Sequence, residues 1–253
     1  MQTSQSWIEH FERNIKIKRI NWQLKASLTS TERRNILSAL QAWQLGETSD
    51  GSHLLKASKN YAGKIKDGCY RQAVELFIKE EQKHGNNLGR YLDRIGEKRI
   101  RKNWADTLFR KFRYYNSSME LWTLAVITVE STAQVFYQSL KDATGCKLLK
   151  QICTDILIDE AFHIDFQLQR FMIIYENKNE SAKKVCYHLY KWFYFLTITL
   201  IWFAYRRCFL AGHNDFHSYW KKMKLKFKKT IGGLRKKNSK IPLPLTVHST
   251  TEA

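Results

Sequence analysis

The sequence predicts an all-α protein built on a four-helix bundle, and three observations carry that prediction. The only two prolines, Pro242 and Pro244, stand near the C-terminus, so nothing before them obliges a helix to break. Apolar residues recur at helical spacing in four segments of bundle length. Turn chemistry separates these segments in pairs, at residues 63–68 and 142–145. At 253 residues the chain can bury one substantial core, which fits one main domain with shorter appended segments.

The first bundle helix starts near Thr31, where a Ser/Thr cap precedes residues of helical period, and has room to continue past Gly46 and Gly51 toward Tyr61. The second runs from Tyr70 to about Ile95, with Ala73, Phe77, Leu88 and Leu92 on its apolar face. Residues 98–115 are basic and aromatic without a clean period and read as a connection. Extended, that stretch spans roughly 50 Å, enough for a crossover along a whole helix. The third helix covers 116–140 and ends at the glycine-containing turn. The fourth covers 146–176, and a polar break at 177–181 follows.

The expected organisation is an N-terminal extension at 1–30, the bundle at 31–178, an apolar, aromatic helix at 179–215, and a basic, flexible tail at 216–253. Residues 192–205 form an uncharged run of 14 residues, short for a membrane span. A fifth helix packed on the bundle is the favoured reading of that run. The alternative is attachment to an anionic membrane surface through residues 185–240. Residues 219–240 carry ten Lys or Arg and no acid, half of the net excess of +20. No recognition motif accompanies that charge, which disfavours nucleic acid. The five cysteines, Cys69, Cys146, Cys153, Cys186 and Cys208, are odd in number and include no Cys-x-x-Cys pair, which argues against a disulfide framework or a thiolate metal site. The N-terminus has no apolar secretion signal, so a cytoplasmic location, peripheral on the membrane at most, is expected.

Two Glu-x-x-His motifs carry the chemistry: Glu81-Gln-Lys-His84 on the second helix and Glu160-Ala-Phe-His163 on the fourth. Residues three apart share a helix face, so each motif aims a carboxylate and an imidazole at one point. Eight histidines would give about half of one such motif by chance. Spacing is the stronger argument. In antiparallel helices, ligands at equal height lie equally far from the turn between them. The midpoint of Glu130 and Glu160 is Gly145, and that of Glu47 and Glu81 is Lys64, both at turns identified independently. Glu32 or His53 could stand in for Glu47, and Glu120 competes with Glu130. One Glu from each of two helices plus Glu-x-x-His from the other two is the ligand set of carboxylate-bridged dimetal bundles.

On these residues the sequence resembles the ferritin-like superfamily of di-iron proteins, over Thr31 to Glu176. The resemblance implies that Glu47, Glu81, His84, Glu130, Glu160 and His163 hold two iron ions, manganese also being acceptable to such ligands. It implies that Glu130 and one further carboxylate bridge the metals. It also implies that Asp159 fixes the tautomer of His84 through a hydrogen bond, with Glu80 in the analogous place before Glu81. Gln134 and Tyr137 are further candidates around the ligands, although a tyrosine at helical spacing more often simply packs. Phe77, Val126, Ala133, Phe136, Tyr137 and Phe162 should make the surroundings apolar.

The implied function is that of an O₂-dependent oxidoreductase, an oxidase or monooxygenase acting on a hydrophobic organic substrate, in a chain that could form a homodimer. The same ligands would serve a ferroxidase or iron store, but the basic excess is unlike the acidic walls storage requires. In a non-enzymatic interaction protein they would form only a polar core, at the cost of burying unpaired carboxylates.

Overall fold

The computed structural model describes residues 2–104, 107 and 118–235, and among them every regular element is helical. α1 (Ser4–Asn14) begins at Thr3, whose side chain accepts from the Ser6 amide, and buries Trp7, Ile8 and Phe11 on one face. That face packs on the helix at Tyr70–Arg94. The first 30 residues, expected as an extension, thus contribute to the core. α2 (Ser30–Glu47) opens with a reciprocal capping box between Thr29 and Glu32. A second oxygen of Glu32 accepts from the Gly145 amide at 2.6 Å, tying this end of α2 to the turn between two other bundle helices.

The first bundle helix does not run through its glycines. α2 stops at Glu47, and Gly51 takes a left-handed φ of 65° before α3 (Ser52–Ile65) begins. A Cβ on Gly51 would also fall 2.5 Å from the Ile78 side chain, so backbone conformation and space both require glycine there. The break makes Glu47 the last residue of its helix, at the site. α4 (Tyr70–Arg94) follows a turn in which Asp67 accepts from Ser4 and Arg170.

α5 (Met119–Asp142) is enclosed nearly all round, by α3 and by the three helices that follow it in the chain. Four of its buried hydroxyls, on Thr123, Thr128, Thr132 and Ser139, return to carbonyls one turn back, which gives each donor a partner within its own helix. α6 (Lys147–Glu176) runs back against α5. α2, α4, α5 and α6 form the four-helix bundle. α7 (Glu180–Ala211) lies on α5 and α2, with a non-helical break at Tyr205. α8 (Phe216–Lys229), capped by Asp215, packs on α5 and α7, and a 3₁₀ turn at Ile231–Arg235 ends the described chain.

The flexible-tail expectation therefore fails for 216–235. Tyr219, Met223, Phe227 and Ile231 repeat at helical spacing and are fully or nearly fully buried, so this basic segment has an apolar face that packs. The expected helix start at Asn116, most of the 98–115 connection and the tail beyond Arg235 lie outside the described residues.

Two apolar clusters make up the core. One includes Ile36, Leu40, Leu88, Leu92, Phe136, Ile152 and Ile156; the other includes Trp7, Phe11, Phe77, Trp122 and Phe166. Along α4 the passage from Phe77 to Leu88, and along α6 from Ile156 to Phe166, crosses a buried polar layer.

Candidate metal centre

That polar layer contains all six predicted ligands. Ligand atoms of Glu81, Glu130, Glu160 and His163 lie within 4.8 Å of one another, and so do those of Glu47, Glu81 and His84. Glu81 belongs to both groups and Glu130 to one, so Glu81 is placed to be the further carboxylate expected beside Glu130. The competitors are engaged elsewhere: Glu32 in its capping box, and Glu120 with Lys178 at 2.7 Å and with the Tyr190 hydroxyl. His53 lies at the rim of the neighbouring cavity and in neither group.

Each histidine is held from behind by a carboxylate of the other helix. His84 Nε2 lies 3.0 Å from Asp159 Oδ2, and His163 Nε2 lies 2.9 Å from Glu80 Oε2. An ionised carboxylate can only accept, so both Nε2 atoms carry a proton and both Nδ1 atoms face inward, where the acids around His163, Glu81 first, outweigh burial and raise its affinity for a second proton while no metal is bound. The acid preceding each motif glutamate, Glu80 on α4 and Asp159 on α6, thus serves the opposite motif. Asn14 ties the two together, donating to Asp159 Oδ1 at 2.8 Å and to Glu80. Arg19 reaches Asp155 at 2.8 Å and Asp159 at 3.0 Å, and Lys83 reaches Asp159 at 2.8 Å. Burial would raise the Asp159 carboxyl, but His84 and Lys83 override it and hold the group ionised, well below its usual range.

Asn14, Arg19 and Lys83 were not anticipated. Lys83 stands inside a motif, one turn from Glu80, and could have been inferred from helical spacing. Nothing local distinguishes Asn14 or Arg19, whose carboxylate partners are 66 and 136 or more positions away.

Inside the layer the electrostatics are reversed. Burial, reinforced by the charge of Glu81, drives the Glu47 carboxyl well above its ordinary value, and burial beside Glu160 does the same to Glu130. Glu160 is pushed up to about 7, again chiefly by burial. Glu81 Oε1, both Glu160 oxygens and the Nδ1 atoms of His84 and His163 are buried without a hydrogen-bond partner. His163 Nδ1 and Glu81 Oε1 approach to 2.6 Å without the alignment of a hydrogen bond. Buried polar atoms are costly unless satisfied. Four carboxylates and two imidazole lone pairs balance two divalent cations in charge and form a mixed O/N set that iron or manganese accepts. The residues therefore fit a dimetal centre.

Two other candidates land differently. Tyr137 does more than pack: its hydroxyl donates to Glu47 Oε1 at 2.5 Å. Gln134 accepts from Lys226 of α8 and joins neither ligand group, because position 134 on the enclosed α5 faces the newly packed α8.

A cavity of about 600 Å³ reaches the layer at Glu47, Glu81 and Glu130, with walls that include Trp43, Phe77, Ile78, Trp122, Val126 and Val129. Of the expected apolar surroundings, Phe77 and Val126 line it. Ala133, Phe136 and Tyr137 lie in the core cluster beside it, and Phe162 packs on His10 at 4.3 Å between ring centres.

No family model matches this chain, and no curated protein matches it by sequence. Solved structures do match. A variant of an R2-like ligand-binding oxidase with anaerobically reconstituted Mn/Fe cofactor aligns with TM-score 0.62 at 20% identity, over 90% of this chain and 93% of that chain. A second variant, aerobically reconstituted with Mn/Fe, aligns with TM-score 0.62 at 19% identity over the same shares. Identity this low speaks to architecture, and the architecture agrees over nearly the whole length of both molecules. The chain has the ferritin-like helical-bundle fold of the R2-like ligand-binding oxidases.

Proposed function

We propose that this protein is a dimetal oxidase of ferritin-like fold, which uses O₂ to oxidise a hydrophobic organic substrate. The observation that carries the reading is the set of inward-facing atoms of Glu81, Glu160, His84 and His163, buried without a hydrogen bond, at the end of an apolar cavity. Glu47, Glu81 and His84 would hold one ion, and Glu81, Glu130, Glu160 and His163 the other. Two ions of iron or manganese would supply the one-electron couples that O₂ reduction needs. The neighbours of the same fold are oxidases with Mn/Fe cofactors, which supports this choice of metals.

The chain's own residues do the rest. Asp159 and Glu80 hold the Nε2 protons and so keep both Nδ1 atoms available for metal. Tyr137 donates to Glu47 and fixes which of its oxygens stays free. Phe77, Ile78, Trp122, Val126 and Val129 exclude water and offer an apolar substrate a wall, while Ser49, Asp50, Ser52 and His53 at the rim suit a polar end.

The test is O₂ uptake by protein loaded anaerobically with Fe(II), with Mn(II), or with both. The proposal predicts uptake faster than that of the same metal in buffer, lost in Glu81→Ala. Uptake no faster than the buffer control would end the oxidase reading.

A further inference from the structure

α7 presents two opposed apolar faces. Tyr190, Tyr194, Ile198 and Trp202 are at most 6% exposed and pack into the molecule, whereas Val185, Leu189, Trp192, Leu196, Leu200 and Phe203 are 40–66% exposed. The exposed set recurs every three or four residues, a continuous stripe about 27 Å long at helical rise. Apolar stripes of this extent on a protein surface mark an interaction site. Lys184, Lys191, Arg206 and Arg207, all exposed, flank it, and α7 contains no acid after Glu180. α8, joined to α7 through Phe195–Trp220 and Trp202–Phe216 ring contacts, adds exposed Lys221, Lys222, Lys224, Lys228 and Lys229.

We propose that this surface docks the protein on an anionic membrane, with α7 lying in the plane of the headgroups. α7 is long and apolar enough to cross a bilayer, but its inner face is committed to the fold. The Tyr194 hydroxyl donates to the Met223 carbonyl at 3.1 Å, and Tyr219 donates to the Ile198 carbonyl at 2.8 Å. A helix embedded along one side only, with basic residues beside its apolar stripe, is the pattern of an interfacial helix.

The cavity distinguishes lipid from a second copy of the chain. Leu196 and Leu200 belong both to the stripe and to the cavity lining, so the cavity mouth opens on the stripe. A rigid partner covering the stripe would close the mouth, whereas a fluid lipid surface leaves it open and places acyl chains against it. Docking stands on the stripe and its charges. Only the statement that the cavity's occupant arrives from the lipid rests on the oxidase reading, and a binding assay needs no turnover.

Flotation of the full chain with phosphatidylcholine vesicles, with and without phosphatidylserine, tests the proposal. The protein should float with the anionic vesicles and be released by salt. Leu189→Glu/Trp192→Glu/Phe203→Glu, none of which lines the cavity, should weaken binding by about tenfold or more with thermal melting and O₂ uptake unchanged. Should that variant fold poorly, Lys191→Glu/Arg206→Glu/Arg207→Glu should abolish the preference for anionic vesicles. Wild-type protein that does not float, or apolar or charge variants that float like wild type, would overturn the proposal. So would a lipid-free dimer that the apolar variant turns into a monomer without any vesicle binding in the wild type, which would assign the stripe to a second copy.

Discussion

Replacing Gly85 by alanine would place a Cβ 2.7 Å from the Thr48 methyl and 3.1 Å from the backbone carbon and Cβ of Glu47. Ordinary contact begins at 3.4 Å, so the Glu47 backbone must retreat by about 0.3 Å or more, the tolerance of ligand distances at a metal being about 0.2 Å. Thr48 cannot easily yield alone, because its hydroxyl donates to the Leu45 carbonyl at 2.9 Å. Overpacking of this kind costs about 1–3 kcal/mol, offset by the roughly 0.5–1 kcal/mol a helix gains when alanine replaces glycine. Stability should therefore fall by at most about 2.5 kcal/mol, short of unfolding the protein, while Glu47 moves off its ion. The assay is metal content by elemental analysis beside a thermal melt. Gly85→Ala should fall from about two ions per chain toward one, keeping the group formed by Glu81, Glu130, Glu160 and His163. Gly46→Ala, whose Cβ meets nothing within 4 Å, is the control and should keep both. Two tightly held ions in Gly85→Ala would refute the argument that this glycine exists to admit Glu47.

Asp159→Asn should be costly, because it presents an amide to the His84 Nε2–H and strips the shared anion from Arg19 and Lys83. A loss of about 3–5 kcal/mol in urea unfolding and about 10–100-fold in metal affinity is expected; wild-type values for both would contradict the assigned role. Tyr137→Phe keeps the packing and deletes the donor to Glu47 Oε1. It should cost metal-free protein about 1–2 kcal/mol, and no measurable change in urea unfolding would mean the bond contributes nothing. Metal-free protein should also lose stability as pH rises from about 4.5 to 7. Over that window Glu160 ionises in the unfolded chain, where its value is 4.5, but not in the fold, where it is about 7. The difference is on the order of 3 kcal/mol, and Glu47 and Glu130 act in the same direction. Asp159 and Glu80, whose values are depressed, act only below the window. Unfolding curves that are flat or rise with pH in the absence of metal would exclude this picture.

Most of the bundle was legible because its information is local. Tyr70–Arg94 and Lys147–Glu176 were readable from apolar period and from their bounding turns, and Glu-x-x-His placed four site residues on two faces. Equal rise per residue then favoured Glu47 and Glu130 from the turn positions, with Glu32, His53 and Glu120 as competitors. Features that depend on partners far away in sequence were not legible. Whether α2 passes Gly51 depends on Ile78, which occupies the space a side chain would need. Lysines dominate the composition of 216–235, while the decisive residues Tyr219, Met223, Phe227 and Ile231 are packing positions for α5 and α7. That misjudged segment also redirected Gln134, which meets Lys226 rather than the ligands. Asn14 and Arg19 become part of the site only because α1 packs on α4.

The most direct measurement is the metal content of protein purified without chelators, for wild type, Glu81→Ala and His163→Ala. Wild type should hold about two ions of iron or manganese per chain. Glu81→Ala should hold almost none, because Glu81 belongs to both ligand groups, and His163→Ala should lose at least the ion of its own group. Well-folded wild-type protein that stays empty even after anaerobic addition of Fe(II) and Mn(II), or a Glu81→Ala variant that keeps both ions, would contradict the dimetal centre itself.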